Sequence, residues 1–145
     1  MYNRDPRIAA MKAARRSDHT RYQIGAALSD PKTGRVKQIG WNHFFPAHRT
    51  LKCYRSTWHA EFHVIMRTGL DRTNGTMLTI FGQVRNNGNT IVSKPCLVCQ
   101  ELCREAGIVK IEYSTKTASG WEVIVRKHGQ WHTVSTLPSG NDDTL

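Results

Sequence analysis

The sequence predicts an α/β fold in which amphipathic helices alternate with short strands along one domain. Three segments with helical periodicity lie between runs of β-branched and aromatic residues, and turns of Gly, Asn and Pro separate them. The length of 145 residues suits a single domain, and no change in composition marks a second one. We therefore expect residues 1–136 to form one domain and residues 137–145 to be a disordered acidic tail.

The first helix is predicted over Asp5–Ser17, where Pro6 suits the first turn. Apolar residues recur there at helical spacing, at Ile8, Met11 and Ala14. Its many basic side chains are interpreted as a solvated helix face rather than as a dedicated phosphate site. Two strands follow, Tyr22–Ser29 and Val36–Trp41, and the turn residues between them predict a hairpin.

A long loop is predicted over His43–Trp58, with aromatic residues interleaved with arginines. Such a composition suits base stacking and phosphate contact, and it suits equally the packing of a loop over the mouth of a site. Arg49 and Arg55 are the two side chains of this loop that we expect to contact a phosphate.

The second helix is predicted to begin after Ser56 or Thr57, either of which can cap it, and to run to Thr68. His59 and Glu61 then fall in its first turn. Gly69 follows as a stop signal.

His63 follows His59 at a spacing of four residues, as in the His-Glu-x-x-His zinc proteases. In those proteases the Glu is in the second position of the motif, whereas Glu61 is in the third. We therefore interpret His63 as a packed histidine and not as a metal ligand.

For the second half of the chain, the sequence predicts five short strands, one helix and two hairpin turns. Only residues 115–120 separate the strands Ile108–Ser114 and Trp121–Lys127, too few for the crossover of a parallel pair, so we expect those two to be antiparallel. The helix ends before Gly107, and Cys103 is interpreted as a core residue. In order, the elements are a strand at Met77–Val84, a turn at 86–89, a short strand at Thr90–Ser93, a helix at Cys96–Ala106, and strands at Ile108–Ser114, Trp121–Lys127 and Gln130–Thr136.

The composition limits the classes of partner. The net charge of +10, from 21 basic and 11 acidic side chains, favours nucleotides, nucleic acid or an acidic protein, and it fits equally a basic surface with no polymer partner. No apolar run approaches the roughly 20 residues that a membrane span needs, and the N-terminus lacks a signal-peptide core. We expect a cytoplasmic protein with no membrane partner and with Cys53 and Cys103 as free thiols.

Four residues in two distant motifs carry the chemistry. His59, Cys96 and Cys99 are zinc-type ligands, and the Cys pair has metal-ligand spacing beside Pro95. One imidazole and two thiolates leave the fourth position of a zinc ion open for water, as in catalytic sites. Glu61, two residues after His59, is a carboxylate that could carry protons for that water.

The His-x-Glu and Pro-Cys-x-x-Cys motifs resemble those of the zinc-dependent cytidine/deoxycytidylate deaminase superfamily, over about two thirds of the chain. The resemblance implies a three-layer α/β/α fold with a central mixed five-stranded sheet, an antiparallel C-terminal strand pair, and zinc between two helix N-termini. It implies a sugar contact for Asn42 and places Ala60 and Pro95 in the substrate site. Lys94, where a smaller residue is more common, departs from the pattern, and the loop lacks the second metal motif of some deoxycytidylate deaminases.

The resemblance implies hydrolysis at C4 of cytosine to give uracil and ammonia, with Glu61 carrying protons to N3 and then to the leaving group. A free (deoxy)cytidine nucleotide or nucleoside is the substrate that we expect. Two alternatives stay open: a deaminase of cytosine or adenine in RNA or single-stranded DNA, and a non-catalytic zinc module that binds nucleic acid. Domains of this family often assemble, so a homo-oligomer is also open.

Overall fold

The structure of the protein is a computed structural model, which describes residues 5–44, 57–116 and 120–134. The tail predicted at 137–145 lies outside these residues. The helices are α1 (Pro6–Ala14), α2 (Ala60–Thr68) and α3 (Leu97–Glu105), with one 3₁₀ turn at Leu70–Arg72. The strands are β1 (Tyr22–Ser29), β2 (Val36–Trp41), β3 (His43–Phe44), β4 (Thr57–Trp58), β5 (Met77–Val84), β6 (Thr90–Ile91), β7 (Lys110–Ser114), β8 (Trp121–Lys127) and β9 (Gln130–Val134).

Seven of these strands form one mixed sheet within the described residues. The strand order is β2-β1-β5-β7-β8-β9, and β6 pairs with β5 beside that path. The β5–β7 pair is parallel, whereas β1–β2, β1–β5, β7–β8 and β8–β9 are antiparallel. The mixed sheet and its antiparallel C-terminal strands are confirmed. The sheet has two strands more than the expected five because the short β6 and the hairpin strand β9 also pair into it.

Helices cover both faces of the sheet, which confirms the three-layer arrangement. On one face, the alanines of α1 pack against Ala27, Val36, Ile39 and Phe81 of the strands. On the other face, residues of α2 and α3 join a larger cluster with β1, β5 and β7. Neighbouring residues Ala26 and Ala27 enter opposite clusters because side chains alternate along a strand. Among the described residues, none of the helices combines the length and hydrophobicity that crossing a bilayer requires.

The buried face of α1 differs from the one predicted. Ile8 and Met11 are exposed, and the helix buries its alanines instead. Gly25 of β1 explains the difference, because a Cβ atom built there would lie 2.1 Å from the carbonyl oxygen of Ala10. The helix backbone thus lies so close to the strand that only alanine fits between them. The helix is also shorter than predicted and ends at Ala14, with Asp5 as its N-cap.

The second and third helices begin later than predicted, and both begin after a metal-type ligand. His59 is the N-cap of α2, and Thr57 pairs instead with Phe44 in the β3–β4 ladder. The ends of the segment predicted as a loop over His43–Trp58 are therefore strands. Cys96 is the N-cap of α3, and the predicted stop after this helix is confirmed by Gly107, whose φ of +80° is left-handed.

His63 packs in an aromatic cluster and lies outside the metal donor group found among the described residues. Its Nδ1 accepts a hydrogen bond from the backbone N–H of Trp41 at 3.1 Å. Its ring makes edge contacts with those of Trp41, His43 and Trp58. The pKa of His63 is lowered to about 4, chiefly by burial and also by the charges of His43 and Arg67. The histidine is therefore neutral near pH 7 and holds β2 to α2, in agreement with the interpretation as a packed residue.

Gly40 lets α2 lie directly against β2. A Cβ atom built at Gly40 would be 2.6 Å from the backbone nitrogen of Val64 and 2.8 Å from its Cα. Both atoms belong to the helix backbone, which cannot move away as the end of a side chain can.

We expect Gly40→Ala to lower the free energy of unfolding by about 1–3 kcal/mol, the usual cost of overpacking a core. Urea denaturation of the purified variant measures this change. Gly82→Ala is the matched control, because a Cβ atom there meets side-chain atoms of Ile91 and Ile24, which can shift. An equal or smaller loss for Gly40→Ala than for Gly82→Ala would contradict the close approach of α2.

Candidate active site and metal centre

The N-termini of α2 and α3 bring three metal-type donors together. His59 and Cys96 are the N-caps of the two helices, and neither makes a side-chain capping hydrogen bond. Cys99 lies in the first turn of α3. The donor atoms of these three residues all lie within 4.8 Å of one another, and Nδ1 of His59 is 3.3 Å from Sγ of Cys99.

This donor set fits zinc. Zinc bound at tetrahedral angles by thiolate and imidazole separates its ligand atoms by roughly 3.6–3.8 Å, which is compatible with the distances observed. Burial raises the pKa of the Cys99 thiol, and the negative charge of Glu61 raises it further. A buried thiolate at this position therefore needs a cation, and a bound metal deprotonates a coordinating thiol. Three protein ligands leave one position for a small molecule.

The segment before α3 is anchored so that Cys96 enters the site. Ser93 donates its hydroxyl to the carbonyl oxygen of Ile80 at 2.9 Å, and its Oγ is 2.8 Å from that of Ser114. The side-chain amide of Gln100 donates to the carbonyl oxygen of Pro95 at 2.8 Å. Cys103, one turn beyond Cys99, is fully buried in the core and lies outside the donor group found among the described residues.

Glu61 places a buried carboxyl group beside the donors. Only 5% of the residue is exposed, and its carboxyl contacts the Cys99 thiol and its own backbone N–H. Burial raises the pKa of Glu61, and this effect outweighs the opposite ones of His59 and Cys99. The carboxyl can therefore hold a proton at a higher pH than an exposed glutamate can. Such a group is suited to accept and return a proton near neutral pH.

A cavity of about 380 Å³ opens onto Glu61, His59 and Cys96. This volume is within the range of small-molecule sites. We divide its wall into three parts. The helix side consists of His59, Ala60, Glu61 and Cys96, and the segment side consists of residues 91–94. A third part, the strand side, comprises residues at the start of β1 and the end of β2: His19, Tyr22, Ile24 and Asn42.

Asn42 lies in the cavity wall, and its amide is bound to the backbone of β1. Its Oδ1 accepts from the N–H of Ile24 at 2.8 Å, and its Nδ2 donates to the carbonyl oxygen of Tyr22 at 2.9 Å. One N–H and one lone pair of the amide are left for a ligand. Asn42 thus extends the pairing of β1 and holds the strand side of the cavity in place.

The other predicted site residues lie in different positions. Ala60 lines the cavity, whereas Pro95 is buried and is not among the lining residues. Arg49 and Arg55 lie outside the described residues.

Sequence reasoning missed His19 and Tyr22, which line the cavity. The only signal in the sequence is their position just before and at the start of β1, which does not distinguish a cavity wall from a turn. Lys94 also lines the cavity; it was noted only as a departure from the family pattern.

Comparisons with known proteins point to one family. The model of the cytidine and deoxycytidylate deaminase zinc-binding region matches residues 6–115. A cytidine deaminase from Burkholderia pseudomallei is similar in structure, with a TM-score of 0.60 and 16% identity over 86% of this chain and 93% of that chain. A dCMP deaminase from cyanophage S-TIM5, in complex with dCMP and dUMP, has a TM-score of 0.55 and 18% identity over 76% of this chain and 78% of that chain.

A cytidine deaminase from Mycobacterium leprae has a TM-score of 0.51 and 22% identity, covering 81% of this chain and 88% of that chain. Identities this low establish a common fold and no more. No curated protein sequence is significantly similar to this chain.

We expect one zinc ion per chain in the purified protein and none in the Cys96→Ala/Cys99→Ala double variant, because a single imidazole holds zinc too weakly. Elemental analysis after dialysis measures the metal content. Cys103→Ala, which removes a thiol outside the donor group, is the matched control and should keep its zinc. Full zinc content in the double variant would contradict the assignment.

Proposed function

The chain belongs to the cytidine and deoxycytidylate deaminase family, and from this premise we propose that it is a zinc-dependent hydrolase of a free cytosine nucleotide or nucleoside. The reaction consumes water, converts the cytosine to uracil and releases ammonia. The proposed metal ligands are His59, Cys96 and Cys99, and the proposed proton carrier is Glu61.

The observation that carries this proposal is the buried carboxyl of Glu61 beside the donor group and on the cavity wall. A structural zinc site has four protein ligands and no use for an additional carboxyl group. Burying an ionisable group costs free energy unless it is paired or neutralised. Its position is therefore better explained by proton transfer than by stability.

In the proposed mechanism, His59, Cys96 and Cys99 would hold the zinc, which would supply the Lewis-acid chemistry that makes a water molecule nucleophilic near neutral pH. Glu61 would accept a proton from that water, whose oxygen bonds to C4 of the cytosine ring, and give the proton to N3. The same carboxyl takes the second proton of the water and transfers it to the amino group on C4, which leaves as ammonia. Ala60 and Asn42 bound the cavity and would exclude bulk water and orient the ring and the sugar.

The remaining substrate contacts are proposed from the sequence. Asn42 retains one N–H and one lone pair, which suit a sugar hydroxyl. Pro95 would shape the end of the cavity by fixing the backbone between Lys94 and Cys96. Arg49 and Arg55, if they contact a phosphate as proposed, would favour a nucleotide over a nucleoside.

A second candidate function, deamination of cytosine or adenine in RNA or single-stranded DNA, is favoured by the net charge of +10. That charge would suit a polynucleotide track as well as a single phosphate. A cavity of about 380 Å³ suits a single nucleotide, which is the whole of a monomeric substrate and one unit of a polymer.

We expect Glu61→Gln to retain zinc and to lower kcat by about 10²–10⁴-fold, because the amide cannot carry protons. Ammonia release from cytidine, deoxycytidine and their monophosphates measures turnover, and elemental analysis measures zinc. Glu101→Gln is the matched control: Glu101 is exposed, lies on α3 and pairs with Arg104. Turnover of Glu61→Gln near the wild-type rate would contradict the proton-carrier role.

We expect a cytosine mononucleotide to be deaminated with a higher kcat/KM than a single-stranded oligomer that contains one cytosine. For the mononucleotide, kcat/KM should fall only slightly between low and moderate salt, because a single phosphate releases few counterions. Measuring both substrates at both salt concentrations tests this. A preference of orders of magnitude for the oligomer that disappears with salt would replace the free-nucleotide function with polynucleotide deamination.

A further inference from the structure

The sheet is covered differently on its two faces where β7, β8 and β9 lie. On one face, Ile111 and Ile124 are buried in the core cluster formed with α2 and α3. Trp131 of β9 belongs to this face too, since its Nε1 donates to the carbonyl oxygen of Gln100 in α3 at 3.1 Å. On the other face, α1 packs on β1, β2 and β5. Among the described residues, most of β8 and β9 is left without a helix on that face.

The register of the strands gives the residues of this uncovered face. Glu112 of β7 marks the face, because its carboxylate accepts a hydrogen bond from Nε of Arg7 in α1 at 2.7 Å. Residues directly opposite one another in an antiparallel ladder share a face, as do residues two apart along a strand. We call the residues selected in this way the platform: Lys110 of β7, Trp121, Val123, Val125 and Lys127 of β8, and His132 and Val134 of β9.

The platform has an apolar floor with aromatic side chains on it. Its valines and Trp121 are half-buried, and His132 is exposed. The guanidinium carbon of Arg7 lies 4.7 Å from the centroid of the Trp121 ring. The seven residues of β8 extend over roughly 23 Å, and the three strands are together roughly 10 Å wide. A surface of this size has room for about four nucleotides, the lower end of the range for single-stranded sites.

The charges on and beside the platform are mainly positive. Lys110 and Lys127 lie on it, and Arg7 lies at its margin. The exposed Arg15 follows Arg7 about two turns further along α1. Within β7, β8 and β9, the acidic side chain on this face is that of Glu112, which is buried and bound to Arg7.

This combination suits a single-stranded nucleic acid. Such a strand carries a negative charge at each nucleotide and offers bases whose flat faces stack on aromatic side chains. Sheet surfaces with aromatic residues bind unstacked bases in this way in RNA-binding modules. The lysines of the platform match the phosphates, and the apolar floor with His132 matches the bases.

We propose that the platform binds single-stranded nucleic acid, with phosphates at Lys110 and Lys127 and a base stacked on His132. The platform lies on the face of the sheet opposite to α2 and α3, whose N-termini carry the metal donors. A strand bound there does not present its base to Glu61. The binding is therefore independent of the proposed function, and it gives the net charge of +10 a partner.

The test is the binding of a labelled uridine octamer, measured by fluorescence anisotropy between 50 and 200 mM salt. This oligomer contains no cytosine or adenine, so it is not a substrate for deamination. We expect Lys110→Gln/Lys127→Gln to weaken binding roughly 10- to 100-fold at the lower salt concentration. The slope of log K against log salt should become shallower by about 1.4, because each phosphate contact on a single strand contributes about 0.7.

Lys32→Gln/Lys37→Gln is the matched control for charge. Both lysines are exposed and lie in β2 or in the turn before it, at the other end of the strand order from β9. This variant loses the same two charges and should keep the slope. Circular dichroism during thermal unfolding checks that each variant is folded.

His132→Ala tests the stacking separately, so the proposal can be decided even if the lysine variant does not fold. We expect binding to weaken about 5-fold or more, as for the loss of one base stacked on an aromatic ring. Thr133→Ala is the matched control, because Thr133 is exposed, follows His132 in β9 and projects from the opposite face. It should bind the octamer as the wild type does.

Several results would overturn the proposal. One is a wild type that does not bind the octamer at 50 mM salt, and another is binding that neither platform variant weakens relative to its control. Lys94→Gln removes a cation from the wall of the cavity. If it weakens binding as much as the platform variants do, the oligomer lies at the cavity instead. Sedimentation that shows self-association of the wild type, lost in both platform variants, would make a second copy of the chain the partner. Octamer binding through the platform without ammonia release from any cytosine substrate would overturn only the proposed function.

Discussion

The contact between Gly40 and the backbone of α2 is the constraint on which the site depends. Because α2 lies directly on β2, its first residues are held at a defined distance from the sheet. His59 and Glu61 begin this helix, so their positions depend on the same contact. His63, one turn further on, adds a hydrogen bond to Trp41 and fixes the rotation of the helix. The close packing of α2 on Gly40 therefore also orients the imidazole of His59 and the carboxyl group of Glu61.

The N-terminus of α3 lies beside that of α2, although the two helices follow different strands of the sheet. The helix α3 lies in the connection between the parallel strands β5 and β7, and a connection of this kind places a helix on the face of the sheet. Cys96 is its N-cap and Cys99 lies in its first turn, where the positive end of the helix dipole is. The burial of Cys99 acts against the thiolate. A bound cation would stabilise the thiolate of Cys99 against this effect of burial, so we expect the thiolate form only when a metal is bound.

The parts of the fold that the sequence predicts well are those in which one local signal is sufficient. Strand periodicity and the short 115–120 connection predicted the antiparallel β7–β8 pair, and motif spacing predicted the donor group of His59, Cys96 and Cys99. The prediction of the buried face of α1 was wrong, because that face depends on Gly25, a residue of β1. The backbone of α1 lies so close to Gly25 that the alanines of the helix are the residues that are buried. His19 was missed for the same reason: its turn, its stacking on Phe44 and its place on the cavity arise only after β1 and β3 come together.

The helix side and the strand side of the cavity are built in different ways. The helix side carries the metal-type donors and the carboxyl group of Glu61 at helix N-termini, and replacing any of them changes the proposed ligand set or the proposed proton carrier. The strand side is built from backbone hydrogen bonds, through which Asn42 and His19 hold β1 and the turn before it. The bonds of Asn42 use one lone pair and one N–H of its amide and leave the second of each with a defined direction. The strand side can therefore change which substrate is held without changing the groups of the helix side, because the two sides belong to different elements. Specificity in this fold can vary at positions that the zinc motif does not constrain.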